Sequence, residues 1–251
     1  MRFPIDNITA TAPTDDWFIL AQDTLVALEA AADDGMQRTR GAVNWAPAAV
    51  AVRLLLRACD NLAAVSLLTE RGLVAEGRTL ARSLIENSFA VAALHRKPGE
   101  YVEQLKADSE RSRRNQAEFI LHSMPDSEAD RSRLRQPVER IDKSLKLISQ
   151  KALALDGPLK DQYLGYQRLS DDAAHVTARS LQRHVQLTEG GWHYRRQAGT
   201  EEENAATLHY AVMAALGVGI GVTEYLKADG CNAAFAPLCD RFRALPPVAT
   251  I

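Results

Sequence analysis

Apolar residues along this chain recur at intervals of three and four through most of its length, the period of an α-helix with one buried face. The pattern predicts a first helix from Asp15 to about Ala32, with Thr14 as its cap and Phe18, Leu20, Leu25, Val26 and Leu28 as apolar members. The charged, glycine-containing run DDGMQRTRG is expected to end it. A second helix is predicted from Ala46 to Glu70, with Val50, Leu54, Leu55, Ala58, Leu62, Val65 and Leu68 on a broad buried face and Gly72 as its stop. The third spans Leu73 to His95 and closes before Lys97-Pro98, because the residue preceding proline is pushed out of the helical region. Joined by a short turn, the second and third are expected to be antiparallel neighbours.

From Pro98 to Gln150 both signs of charge become dense, while Leu105, Phe119, Ile120, Leu134, Val138, Ile141, Leu145 and Ile148 keep a helical spacing. Two long helices are predicted there, with Met124-Pro125-Asp126 as the turn. The arginine clusters Arg111, Arg113, Arg114 and Arg131, Arg133, Arg135 sit beside Asp108, Glu110, Asp126, Glu128 and Asp130, so they read as a solvated, ion-paired face. Gly157-Pro158 opens a further helix, Leu159 to about Val185. The segment VQLTEGGWHYRRQAG places a Gly-Gly turn between two alternating arms, a small hairpin near 185–197. Thr200-Glu201-Glu202-Glu203 is a capping box that starts the last long helix, predicted to reach Asp229. Its Gly217, Gly219 and Gly221 lack both the preceding strand and the spacing of a dinucleotide loop, and are assigned to close helix–helix contact. The tail at Pro246-Pro247 is expected to fray.

These elements make an all-α protein, a single domain over 1–251 and a helical bundle of about seven helices. A charged helical hairpin, 98–152, would pack on core helices 46–95, 159–185 and 200–229. Composition agrees: 46% of residues are hydrophobic and 25% charged, forty are alanine, and 23 of the 30 basic residues are arginine. Such usage excludes disordered, collagen-like and disulfide-scaffold classes. A net charge of −2 excludes a protein that coats nucleic acid through a global basic field. The three cysteines, Cys59, Cys231 and Cys239, form no metal-type spacing and point to a reducing, cytoplasmic setting. The N-terminal MRFPIDNITATAPTDDW has proline and acids where an export signal needs an apolar run. Asn204 to Thr223 is uncharged over a bilayer-spanning length, yet its first third is polar and three glycines follow, so a buried core helix is expected rather than a membrane partner.

Few residues remain to carry chemistry. No glutamate is followed three positions later by histidine, which removes a di-iron bundle, and no P-loop, G-x-S-x-G or catalytic cysteine context exists. Glu118 and His122 are an i,i+4 surface pair. No metal or cofactor is expected. What stands out is polar groups set into apolar helices. Arg78, Arg82 and Glu86 recur every fourth residue on the third helix, and two arginines so spaced repel unless acids from elsewhere pair with them. The best source is YLGYQRLSDDAAHVTARSLQRH, where Arg168, Asp171, Asp172 and His175 fall within two turns and can share one face. A carboxylate beside histidine orients the ring and favours its charged form, an arrangement suited to a general acid or a phosphate-binding pair.

At these residues the chain resembles a known superfamily. Arg168 and His175 form R-x6-H, similar to the R-x(4–6)-H motif of HEPN proteins, all-helical and in many cases metal-independent endoribonucleases of toxin–antitoxin, phage-defence and CRISPR systems. RTLARSLIE together with YQRLSDDAAH also resembles a bacterial family of helical proteins of unknown function, over roughly residues 50 to 225. The HEPN resemblance implies a homodimer across which the motifs cluster, RNA as substrate, and an antitoxin or other protein as a further partner. Arg168 would then stabilise phosphate charge and His175 would handle protons, with Arg78, Arg82, Glu86, Asp171 and Asp172 supporting them. Leu169 stands where the motif usually has a polar residue, and a second match, Arg179 with His184, has no acid close in sequence. The alternative is that Arg82, Glu86, Arg168, Asp171, Asp172 and His175 form a buried polar network that fixes helix register and catalyses nothing.

Overall fold

The computed structural model describes residues 14–123, 128–195, 199–246 and 248. In chain order these form α1 (Thr14–Arg38), α2 (Pro47–Glu70), α3 (Val74–Arg96), α4 (Pro98–Ser123), α5 (Glu128–Arg140), α6 (Gln150–Asp156) and α7 (Gln162–Leu169). A π-helical turn (Ser170–Ala174), α8 (Ala178–Gln182) and the antiparallel strands β1 (Val185–Thr188) and β2 (Gly191–Tyr194) follow, then α9 (Glu201–Tyr225), α10 (Asp229–Ala233) and α11 (Phe235–Ala244).

The core is built from α1, α2, α3 and α9. Helix α2 starts on Pro47, whose missing N–H costs nothing in the first turn, and ends before Gly72, which takes a positive φ of 73°. It then packs antiparallel on α3, with Gly77 lying against Thr69 and Val65. Helices α1 and α3 both run parallel to α9. Thr14 bonds the Glu201 carbonyl at one end of α1 and Gly35 approaches Leu226 at the other. Along α3, Arg78 meets Thr207, Val91 meets Gly221 and His95 reaches Glu224. Parallel neighbours cannot be joined by a tight turn, so residues 97–200 make a long crossover. Its return leg is α7, which descends beside α3 with Gln162 at Ser88, Tyr166 at Arg82 and Glu86, and Asp172 at Arg78.

The all-helical bundle and the hairpin are as predicted; the helix count is not, because the described residues hold eleven α-helical segments. Helix α1 passes through Asp33-Asp34-Gly35 to Arg38. Gly35 serves there as a packing residue, since a Cβ would lie 3.0 Å from Val52, and Asp34 pairs with Arg38 one turn on. The helix expected over 159–185 breaks into α7, the π turn and α8. The second charged helix stops at Arg140, where the buried Arg114 donates to the exposed-end carbonyls of Val138 and Ile141 and pairs with Glu118 at 2.7 Å. Arg114 is therefore a cap rather than part of a solvated face. The turn at Met124-Pro125-Asp126 and Pro247 of the predicted frayed tail lie outside the described residues; the last long helix ends at Tyr225 instead of Asp229, and the chain after it folds into α10 and α11, with Phe235 fully buried on Gly219.

Helix α9 begins at the predicted capping box, with Thr200 Oγ1 accepting from the Glu203 N–H and Glu203 accepting in return, each at 3.2 Å. It is long and apolar enough to cross a membrane, and most of it is buried within the bundle. Two of its glycines are packing glycines: a Cβ on Gly219 would sit 2.5 Å from the Phe235 ring, and one on Gly221 would sit 2.6 Å from Val91. Gly217 differs, because its Cβ would meet only Ser88 at 3.9 Å and it opens onto a mainly apolar cavity of about 290 Å³ between α3, α9 and Pro158-Leu159. Gly217→Ala is accordingly expected to raise Tm, through a helix-propensity gain of about 1 kcal/mol, whereas Gly219→Ala and Gly221→Ala lower it. A thermal melt of the three variants checks the opposite signs.

Near the start of α9, His209 is packed between Trp17 and Phe242, at ring distances of 5.2 and 4.9 Å, and its Nδ1 has no hydrogen-bond partner. Burial lowers its pKa from 6.5 to about 4. The folded state thus binds this proton more weakly than the unfolded chain. The contribution is complete above pH 6.5 and is lost as pH falls from 6.5 towards 4, by up to about 3 kcal/mol. Denaturant melts across that window are expected to show this slope in the wild type and a flatter one in His209→Phe.

Candidate functional site

The crossover's return leg brings α7 and the π turn against α3, with Arg183 reaching the start of α9, and a group of charged and hydroxylic side chains gathers between them. Asp172 is the centre. It is 2% exposed, inside the π turn. Its Oδ2 accepts from Arg78 and from both Nε and Nη2 of Arg183, at 3.0 and 2.7 Å for the latter, and its Oδ1 accepts from Arg179 Nε at 3.3 Å. Glu203 adds a second acceptor, 2.7 Å from Arg183 Nη2 and 3.7 Å from Arg78. Arg78, 3% exposed, completes its set by donating Nε to Thr207 Oγ1 at 3.2 Å.

Burial opposes the charge of Asp172, but hydrogen bonds from Arg183 and Arg78 outweigh it and hold the carboxyl below its ordinary range. Burial and the neighbouring Arg183 charge lower Arg78, and Asp172 only partly offsets them. Arg183 is raised: burial works against it, and its bonds to Asp172 prevail. A second cluster adjoins the first. Arg82 donates Nε to Ser170 Oγ at 2.7 Å and Nη2 to the Tyr166 hydroxyl, lies 4.5 Å from the Tyr166 ring centre, and pairs with Glu86 at 3.1 Å. The Tyr166 hydroxyl donates to the same glutamate at 3.2 Å. Burial raises the Tyr166 pKa, which keeps that proton in place.

Of the residues singled out in the sequence, Arg78, Arg82, Glu86 and Asp172 are therefore brought together, and the expectation that the arginines on α3 find acids on the later segment is met for Arg78. Arg168, Asp171 and His175 are not in the network. Asp171 is exposed and does not pair with His175; its carbonyl accepts from Thr177 Oγ1. Arg168 does not pair with Asp172. The cause is the π turn. After Leu169 the hydrogen bonding widens, so that the His175 N–H donates to Ser170 five residues back, at 3.2 Å. This added residue turns Asp172 inward and breaks the i,i+4 face that an α-helix would have made. His175 then leaves the helix in extended conformation, φ −122° and ψ 154°, exposed to solvent. Arg168 is half-buried in the last turn of α7 and makes no hydrogen bond or ion pair among the described residues.

Sequence reasoning missed Arg183, Arg179, Glu203, Tyr166, Ser170 and Thr207. A signal existed for two of them: Tyr166 and Ser170 share the four-residue spacing of Arg82 and Glu86, which they face. Arg179 has no acid within a helical turn in the sequence, and its acid in the structure is Asp172, seven residues earlier. Among the described residues no group of three or more His, Cys, Asp or Glu side chains converges as a metal site.

The segment that holds this site falls within a recognisable family. Residues 48–191 match a family of unknown function, DUF5677, and this is 144 of the 251 residues. The chain belongs to that family. The matched region runs from α2 through the hairpin turn and contains Arg78, Arg82, Glu86, Arg168, Asp172, His175 and Arg183, while Glu203 and Thr207 lie beyond it. No curated protein and no solved structure matches the chain.

Proposed function

We propose that this DUF5677 protein is a HEPN-like, RNA-cleaving or RNA-binding protein of bacterial defence or toxin type, cytoplasmic and homodimeric, that works through Arg168 and His175 without a metal. One observation supports the reading above others. In a region where the arginines around Asp172 are committed to carboxylates or hydroxyls, the side chains of Arg168 and His175 have no hydrogen-bond or ion-pair partner among the described residues, and they flank a turn held rigid from behind by Asp172. A π turn of this kind costs helix geometry, and such turns recur at functional sites. An imidazole free in solvent can take the proton of a ribose 2′-hydroxyl as that oxygen attacks the adjacent phosphate, and can return it to the departing 5′-oxygen. A guanidinium can hold the phosphate as its charge grows. The network residues Arg78, Asp172 and Arg183 are then positioning residues rather than catalytic ones.

The test is cleavage of single-stranded RNA by the purified wild type in the presence of EDTA, beside Arg168→Ala and His175→Ala. Cleavage that both variants lose supports the proposal; equal cleavage by all three removes the roles given to these residues. A second reading has its own support: both oxygens of Asp172 are filled by three guanidiniums, as in a purely structural network. On that reading the protein binds a partner or ligand without catalysis, and RNA stays intact at every protein concentration.

A further inference from the structure

The cavity of about 290 Å³ onto which Gly217 opens takes its shape from the parallel course of α3 and α9. Ser88, Ala92 and Arg96 succeed one another by a turn along α3, and Gly217, Gly221 and Glu224 do so along α9. At a rise of about 1.5 Å per residue, the stretch from Ser88 to Arg96 makes the space about 12 Å long. Val91, Ile220, Leu159 and Pro158 give it aliphatic sides, and among the described residues no Phe, Tyr or Trp lines it. The Ser88 hydroxyl at one end is already used, donating to the Ile85 carbonyl at 2.7 Å. Every charged lining group, His95, Arg96 and Glu224, sits at the other end, where α3 and α9 finish. A channel that is apolar along its length and charged at one mouth has the polarity of an amphiphile.

Gly217 keeps this channel open at a cost to the fold. A glycine in a helix interior costs about 1 kcal/mol relative to alanine. At Gly219 and Gly221 a close neighbour requires it; at Gly217 none does, and a side chain there would stand in the cavity. At the mouth, Arg96 is exposed and makes no hydrogen bond or ion pair among the described residues. The acids around it do not answer it: Glu224 lies 4.0 Å from His95, Glu100 pairs with Lys97 at 2.8 Å, and Asp156, across an adjoining small cleft, makes no ion pair. The carbonyl ends of α3 and α9 lie at this end too, and they are partly answered by the N–H groups of Lys97, Leu226 and Lys227.

We infer that this cavity binds a straight-chain monocarboxylic acid of about ten carbons, its alkyl chain lying between α3 and α9 and its carboxylate on Arg96. Three arguments select that class. The first is volume. A cavity of about 150 Å³ takes the six carbons of benzene, so one of 290 Å³ takes about a dozen non-hydrogen atoms. The second is shape, since a long space with aliphatic walls and no ring to stack against suits an extended alkyl chain better than a compact aromatic body. The third is charge. The guanidinium fork matches a carboxylate through two parallel hydrogen bonds, whereas an ammonium head would have to settle beside the unanswered charge of Arg96.

Isothermal titration of the full chain with decanoate, below its micellar concentration, tests this. Saturable one-to-one binding is expected, with decylamine, the same chain under the opposite charge, bound at least about ten-fold more weakly. Arg96→Gln should weaken decanoate by about ten-fold, the effect of losing a charged hydrogen-bond partner. Gly217→Leu and, from the opposite wall, Ala92→Leu fill the space and should abolish binding, with the helical spectrum and a cooperative melt showing which of them is folded. Absence of saturable binding overturns the inference. So does decanoate binding retained by either folded cavity-filling variant, an unchanged affinity in Arg96→Gln, or decylamine bound as tightly as the acid. None of these readings involves RNA, so the inference stands or falls apart from the proposed cleavage.

Discussion

Asp172→Ala is expected to be the most destabilising single change in the crossover, costing about 3–5 kcal/mol and lowering Tm by about 10 °C. The loss is large because of what stays behind. Arg78 remains 3% exposed with only Glu203, at 3.7 Å, and Thr207 to answer its charge, while Arg183 crowds it from the other side. A buried charge deprived of its partner costs far more than the pair was worth, which gives the prediction a second arm. Asp172→Leu combined with Arg78→Met removes both charges, and much of the stability is expected to return, so that the double-mutant cycle shows strong coupling. Arg82→Ala should cost less, since Arg82 is one-fifth exposed and its glutamate lies on the same helix. The pH dependence has a defined sign. Because the native carboxyl of Asp172 is held below its ordinary range, its contribution is present above that range and is lost as pH falls through the lowered native value, and the Asp172→Ala protein lacks this part of the acid limb.

His175→Ala is expected to have the opposite signature: RNA cleavage reduced by about 10²- to 10⁴-fold, the range for loss of a general acid–base group, with Tm unchanged within about half a kcal/mol of stability. The side chain is exposed and makes no hydrogen bond or ion pair among the described residues, so its removal leaves no cavity and no unpaired group there. Single-turnover cleavage and a thermal melt on the same preparation check both halves. A melt that falls with activity would make His175 structural. Cleavage that survives in His175→Ala but falls in a His184→Ala protein would transfer the role to the second motif, Arg179 with His184.

The four core helices were legible in the sequence because each keeps its apolar period over more than six turns, and the capping box at Thr200 and the turn at Gly72 set the start of α9 and the junction of α2 with α3 to within a residue. The charged run around Gly35 reads as a helix end, since a sequence does not distinguish a glycine that breaks a helix from one that admits Val52 and Leu226. The site was half legible. Charges at four-residue spacing on α3 demanded partners and pointed to Asp172, but the i,i+4 reading of Arg168, Asp171, Asp172 and His175 assumed an α-helix. The π turn has no periodicity of its own over five residues, and of those four side chains only Asp172 lies in the cluster. Arg183 and Glu203 joined it through tertiary contacts across 11 and 20 residues or more, which no local pattern records.

The parallel course of α3 and α9 has a consequence for how this chain tolerates change. Residues 97–200 must leave one end of the bundle and return to the other, and the return leg is tied to the core by polar contacts, from Ser170 and Asp172 to α3 and from Arg183 to Glu203 of α9. The arm formed by α4 and α5 hangs from that path. The entropy of closing a loop grows only with the logarithm of its length, so lengthening or shortening this arm changes the cost of the crossover by a fraction of a kcal/mol or so. The arm is the part of the molecule free to diverge in length, and the descent from Gln162 to Asp172 is the part whose residue count is fixed by the register it keeps with α3.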